Sequence, residues 1–147
     1  MIVVVRVHDC LSAGGNVRAC SYRAWKTGRL LRDAAFRNQM RFLVAMNGPH
    51  VVGVFCIRAV APDVLPGRVQ FGIDQTTEDC ANDIVALITR FSQVSNKLKY
   101  QGTKYLLAED FRLVGIEIPN TECCQFEEIY LAQTAQIPNI EGRPHGF

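Results

Sequence analysis

Apolar residues run almost without interruption through Ile2–Val5 and again through Phe42–Met46, whereas Val69, Phe71 and Ile73 alternate with Arg68, Gln70 and Gly72. The first stretch, Ile2–Val7, predicts a strand from its β-branched content. Arg41–Met46 and Val51–Ile57 predict two more, joined by Asn47-Gly48-Pro49-His50. Asn-Gly favours a hairpin because both residues tolerate positive φ, while Pro49, having no N–H, predicts a loop wider than two residues. Continuous apolarity predicts strands that are central in a sheet or covered on both faces. Arg68–Ile73 instead has the period of a strand with one buried face, Val69, Phe71 and Ile73 pointing inward.

Helical spacing appears twice in strong form. Thr27 is placed to cap a helix from about Gly28 to Asn38, with Leu31, Ala34 and Ala35 inward. Thr76 or Thr77 is placed to cap a longer one, about Glu78–Ser95, with Ala81, Ile84, Val85, Ile88, Phe91 and Val94 on one face. Glu78 and Asp79 in its first turn suit the helix dipole. Lys104–Ala108 and Arg112–Ile118 predict two further strands, and a last helix is expected from Pro119 to about Gln136. Ser12–Asn16 and Pro62–Gly67 predict turns or loops, and the tail Ile137–Phe147 should be irregular. Together these elements predict an α+β fold: a small mixed or antiparallel sheet with a central hairpin and two to three helices, in one domain spanning residues 1–147.

Composition adds few constraints. The chain is 48% hydrophobic and 20% charged, as in ordinary globular domains. No run reaches the roughly 18 apolar residues that a membrane span needs, and Ile2–Val5, closed by Arg6, is too short for a signal segment. The expected location is therefore the cytoplasm. The six cysteines form no C-x-x-C pair, so free structural thiols are expected there. The three histidines are scattered, which gives a metal site no support.

Charge is distributed unevenly. Arg18, Arg23, Lys26, Arg29, Arg32, Arg37 and Arg41 face a single acid, Asp33, in a chain whose net charge is only +2. From Glu109 onward the sign reverses: Glu109, Asp110, Glu117, Glu122, Glu127, Glu128 and Glu141 outnumber Arg112 and Arg143. The basic segment is expected to neutralise either an anionic ligand or this acidic end, within the chain or across a homo-oligomer contact.

Catalytic signatures are not evident. Gly14-Gly15 lacks the Lys-Thr of a phosphate loop, and neither a G-x-S-x-G elbow nor an H-E-x-x-H pair occurs. No catalytic residue, metal or cofactor is assigned, and a binding role leads. Arg and Lys suit phosphates, and aromatic faces suit purines. Two segments interleave both: Tyr22-Arg23-Ala24-Trp25-Lys26 and Asn96-Lys97-Leu98-Lys99-Tyr100.

The ordered set Trp25-Lys26, Arg41-Phe42-Leu43-Val44-Ala45-Met46-Asn47-Gly48, Val51-Val52-Gly53-Val54-Phe55, Gly67-Arg68-Val69-Gln70-Phe71 and Asn96-Lys97-Leu98-Lys99-Tyr100 resembles the first class of phage Thoeris anti-defence proteins. The resemblance covers roughly residues 22–100. Met46 stands where an aromatic is usual and Lys97 where proline is usual, and the acidic residues 101–147 have no counterpart. The resemblance implies a viral, non-enzymatic homo-oligomer that sequesters immune signalling nucleotides, cyclic ADP-ribose isomers or cyclic oligonucleotides, without cleaving them. It carries Asn96, Lys99 and Tyr100 over as ligand contacts. Chemistry adds Arg23, Lys26 and Arg41 for phosphates, and Trp25 and Phe71 for stacking or support.

Two other readings stay open. One is a small nuclease or phosphodiesterase like the GIY-YIG enzymes, although Met46 and Phe55 occupy the positions where tyrosines are needed. The other is a nucleic-acid-binding module, which a pI near 8.3 and the acidic end disfavour.

Overall fold

The computed structural model describes residues 1–23, 25–99, 102–118 and 128–133. Strand β1 (Ile2–Arg6) pairs in parallel with β2 (Phe42–Asn47), Val4 opposite Val44. Parallel partners need a crossover. Residues 7–41 supply it with four short helices: α1 (His8–Ser12), α2 (Val17–Tyr22), α3 (Arg29–Arg32) and α4 (Ala34–Arg37). From β2 the chain turns back directly into the long β3 (His50–Pro62), then into β4 (Val69–Gln75), both pairings antiparallel. Helix α5 (Glu78–Val94) and a 3-10 turn (Lys97–Lys99) lead to β5 (Lys104–Leu106), antiparallel to β1 at the other edge. The sheet order is β4-β3-β2-β1-β5. Helix α6 (Ala108–Leu113) follows, and β6 (Tyr130–Leu131) pairs in parallel with β3 at Ala59 and Val60, beyond the end of β2. The fold is α+β with a mixed sheet, as the hydrophobic pattern predicts.

The two central strands are buried on both faces, which is why their apolarity is continuous. Ile2, Val4, Phe42, Val44 and Met46 join Ile84, Leu87, Ile88 and Phe91 of α5 and Phe111 of α6. Val3, Val5, Leu43 and Ala45 join Cys20, Leu30, Phe36 and Met40 of the crossover, together with Phe71 and Ile73 of β4. Successive side chains alternate between these two cores. β3 is bulged twice. The register shifts between Ala45 and Met46 leave Val52 extra and exposed, and a second shift lies at Arg58, between Ile57 and Ala59. The second bulge flips the alternation, so that both Ile57 and Val60 face the crossover core.

Several expected elements differ. The turn into β3 is only two residues, Gly48 and Pro49. Gly48 takes φ 62° at the first turn position, the Gly-first arrangement of a tight hairpin, and Pro49 at the second position needs no ladder N–H. The helix expected over 28–38 is two helices broken at Asp33. There Asp33 leaves the helical region (φ −117°, ψ 97°) and its carboxylate accepts the Phe36 N–H at 3.0 Å, starting α4 anew. Gly28, not Thr27, precedes α3, and Leu30 and Phe36 are the inward residues. Helices α1 and α2 were not foreseen. Asn16 caps α2 by accepting the Ala19 N–H at 2.8 Å.

Thr77 caps α5 through the Cys80 N–H, as expected, but its buried face is Cys80, Ile84, Leu87, Ile88 and Phe91. Val85 and Val94 lie on the exposed side. Residues 112–118 are not a strand. Asp110 accepts the Leu107 N–H at 2.7 Å and initiates α6, which turns Phe111 into the core and is followed by Gly115 at φ 75°. Residues 128–133 hold the short strand β6 at Tyr130–Leu131, not the end of a helix. The rest of the expected last helix and the tail lie outside the described residues.

The cysteines are also corrected. Cys10 and Cys20 form a disulfide, Cys56 and Cys80 are disulfide-bonded as well, and among the described residues no cysteine is a free thiol. The thiol expectation rested on compartment alone; the fold brings Cα atoms 5.7 Å apart across the α1–α2 turn, where a bridge fits. Among the described residues no helix is long and apolar enough to cross a membrane.

Truncation separates the two sides of α5. Phe91→Ala should cost about 3–5 kcal/mol, whereas Val94→Ala should stay within about 0.5 kcal/mol. Urea unfolding of both variants measures the contrast, and equal losses would contradict the burial described here.

Candidate functional site

Three of the seven cations of the basic segment, Arg18, Arg37 and Arg41, are taken up by the backbone. Four short helices leave many carbonyls without intrahelical partners, and arginines fill them. Arg37 Nη1 donates to the Leu30 carbonyl at 2.9 Å, and Arg41 Nη1 to those of Asn38 and Met40 at 2.8 and 2.7 Å. Arg18 Nη2 reaches across to the Ile73 carbonyl of β4 at 2.6 Å. Arg29 stacks 3.9 Å over the Phe36 ring and pairs with Asp33 at 3.2 Å. The acidic end takes part once among the described residues, through Lys97–Asp110 at 3.0 Å, and Lys97 lies outside the basic segment. Asp33 is held below the usual carboxylate range chiefly by the Phe36 N–H, with Arg29 adding to it.

A groove opens elsewhere, at the carboxyl ends of the two parallel strands. Its volume is about 980 Å³, at the upper end of the range for small-molecule sites. Arg6 ends β1, His8 and Asp9 begin α1, and Met46, Gly48 and Pro49 come from β2 and the hairpin turn. Ser92, Ser95, Leu98 and Lys99 form the opposite wall, from the end of α5 and the 3-10 turn. Arg6 Nη1 is tied to the Gly48 carbonyl at 2.7 Å, and burial lowers its pKa from the ordinary guanidinium value. Arginine nonetheless stays charged at neutral pH. His8 Nδ1 lies 3.0 Å from Asn47 Oδ1. With that oxygen accepting, Nδ1 carries a proton.

Electrostatically the groove is mixed. Arg6 and Lys99 are cationic and Asp9 is anionic. The carboxyl end of α5 also points a partial negative charge at it, which Lys97 and Lys99 oppose. Two cations, two serine hydroxyls and an apolar wall of Met46, Leu98 and Pro49 suit a ligand with one anionic and one flat apolar part. Among the described residues no cluster of histidine, cysteine or carboxylate groups is arranged to hold a metal.

The residues expected from the sequence scatter across the molecule. Lys99 lines the groove, and the neighbouring Asn96 is exposed, its carbonyl accepting the Lys99 N–H. Trp25 borders the groove too, but it packs with the crossover core, bridges Val69 through its backbone and donates Nε1–H to Ser21 O at 3.1 Å. These contacts anchor it on the opposite side of the sheet from Met46 and Leu98, so it marks the far margin of the cavity and not its centre. Arg23 and Lys26 are exposed beside Trp25, and neither lines the groove. Arg41 spends its guanidinium on carbonyls, and burial lowers its pKa. Phe71 is 1% exposed inside the crossover core, where it supports the sheet and offers no face for stacking. Tyr100 lies outside the described residues.

Arg6, His8, Asp9, Ser92 and Ser95 were not anticipated. One signal was available: Arg6-Val7-His8-Asp9 puts three polar side chains directly after a fully apolar strand. In open α/β sheets ligands bind beyond the carboxyl ends of parallel strands, but parallel pairing was not readable from residues so far apart.

Arg41→Ala should therefore lower stability by about 1.5–3 kcal/mol, the usual worth of hydrogen bonds to a charged group. Lys26→Ala, on the surface, should change it by less than about 0.5 kcal/mol. Denaturant titration of the pair distinguishes a structural arginine from a ligand-binding one. No known protein family, curated protein or solved structure matches the chain.

Proposed function

We propose that the protein is a non-enzymatic binder that captures a small nucleotide-derived signalling molecule in the groove between Arg6 and Lys99. The observation that carries this reading is the convergence of those two cations, 93 residues apart in sequence, with Ser92 and Ser95 on a cavity of about 980 Å³. A phosphate between Arg6 and Lys99 is held by charge-assisted hydrogen bonds, and a base or ribose lies against Met46 and Leu98. Capture without cleavage is the anti-defence role that the resemblance implies, with cyclic ADP-ribose isomers and cyclic oligonucleotides as the ligand classes and a homo-oligomer as the assembly. On this reading Arg23 and Lys26 act, if at all, at a subunit contact.

A messenger sponge would act in the cytoplasm, where such messengers are made. The disulfides favour an oxidising compartment instead. Both demands are met only by a protein that still binds after reduction.

Native mass spectrometry with cyclic ADP-ribose isomers and cyclic oligonucleotides tests the reading and counts subunits in the same spectrum. The expected result is a complex at micromolar concentration from which unchanged ligand is recovered after heat denaturation. Arg6→Ala and Lys99→Ala should each weaken it about tenfold or more, since a hydrogen bond to a charged group is worth about 1.5–3 kcal/mol. Failure of every candidate to bind would remove the proposal, and recovery of a cleaved product would replace it with the phosphodiesterase reading. The same titration in dithiothreitol should leave measurable binding if the site of action is cytoplasmic.

A further inference from the structure

We infer that the Cys10–Cys20 disulfide is a thiol–disulfide exchange site for dithiol reductants, and that its reduction releases α1, the helix carrying His8 and Asp9 to the groove. The inference does not depend on which ligand the groove takes.

Helix α1 has five residues and none of them is buried. A helix of that length has no stability of its own. Its attachments are the exposed His8–Asn47 contact, the half-buried Cys10 and Leu11 at the margin of the crossover core, and the covalent link to Cys20. Cys20 is 1% exposed and anchored in that core. The disulfide therefore ties a weakly held helix to a firmly held one.

Access to the bond is one-sided. Cys10 is partly exposed, whereas Cys20, Cys56 and Cys80 are all buried. Arg23 places Nη1 3.5 Å from Cys10 Sγ. A cation at that distance draws an anionic thiol toward the sulfur and stabilises a thiolate formed on it. Gly15 crosses so closely that a Cβ there would lie 2.7 Å from Cys20 Sγ and 2.8 Å from Cys10 Sγ, and its N–H donates to the Cys10 carbonyl.

The chemistry is a balanced two-electron exchange. A thiolate of the dithiol attacks Cys10 Sγ and forms a mixed disulfide, while the Cys10–Cys20 bond breaks and Cys20 leaves with the electron pair and takes up a proton. The second thiol of the reductant, as thiolate, then attacks the reductant's own sulfur in the mixed disulfide. Cys10 departs as a thiolate facing Arg23, and the reductant ends as its disulfide. With the link gone, α1 keeps only the exposed His8–Asn47 contact and the half-buried packing of Cys10 and Leu11, and His8 and Asp9 lose their fixed positions.

The test uses the wild-type protein in native buffer, treated with graded dithiothreitol, alkylated and mapped by mass spectrometry, with hydrogen exchange followed over residues 8–15. Cys10 and Cys20 should be alkylated at reductant concentrations that leave Cys56 and Cys80 unlabelled. Exchange of the Leu11, Ala13 and Gly15 amides should then rise about tenfold or more, as expected for local opening. Arg23→Gln should slow reduction by the anionic thiol mercaptoethanesulfonate about fivefold, the factor expected for a charge pair near 4 Å in water, and should affect a neutral thiol less. A Cys10→Ser/Cys20→Ser variant with native circular dichroism should show the same raised exchange without reductant. The inference is overturned if all four cysteines become labelled together, if reduction leaves exchange over residues 8–15 unchanged, or if Arg23→Gln reduces at the wild-type rate with both thiols.

Discussion

The parallel pairing of β1 with β2 is the constraint from which the other features follow. Two neighbouring strands that run the same way cannot be joined by a turn, so 35 residues leave the sheet and return. That excursion covers one face, and α5 and α6 cover the other. The central strands are thereby enclosed on both sides, and Val3, Val4 and Val5 lose all contact with water. Burial of this kind, at about 25 cal/mol per Å² of apolar surface, is the main source of stability in a domain of this size. The same pairing places the carboxyl ends of both strands side by side, so Arg6 and the hairpin turn meet above the sheet and form one wall of the groove.

The crossover has its own physical problem. It is divided among helices of four to six residues, so a large share of its carbonyls lies in helix ends. An unpaired buried carbonyl is costly. Arg18, Arg37 and Arg41 resolve this by carrying guanidinium donors to backbone oxygen, and Asp33 and Asn16 do the corresponding service for N–H groups. Three of the segment's seven positive charges are thus by-products of hydrogen-bond satisfaction. Arg23, Lys26, Arg29 and Arg32 are the cations that remain exposed, Arg29 of them paired with Asp33. The separation matters for function, because the groove draws its positive charge from Arg6 and Lys99, outside the basic segment altogether.

The disulfides change how the chain holds itself together. Cys56 and Cys80 lie in the core between β3 and α5, where the chain is already well packed. The Cys10–Cys20 bridge lies where packing is thin, between a helix with no buried residue and one that contributes to the crossover core. A covalent constraint has the largest effect on position where non-covalent contacts are fewest. The groove therefore combines rigid elements, the ends of β1, β2 and α5, with one edge held by few non-covalent contacts and a disulfide.

What was legible in the sequence was local. Continuous apolarity in Ile2–Val5 and Phe42–Met46 marked strands buried on both faces, Asn47-Gly48 marked the hairpin, and Thr77 with the apolar spacing that follows marked α5. Each is a consequence of backbone geometry and side-chain period over a few residues. Tertiary structure decided what depends on distant partners: the parallel register of β1 and β2, the break at Asp33, the helix at 108–113 where a connection between two strands was expected, and the pairing of Cys10 with Cys20. It also decided the candidate site. Lys99 was a candidate from the motif that carries the resemblance, but Arg6, His8 and Ser92 acquire meaning only when the sheet brings them to one cavity. Likewise Phe71 and Arg41 looked available for a ligand until the core and the carbonyls claimed them. Residue type specifies which interactions a side chain is able to make; the fold decides which partner reaches it first.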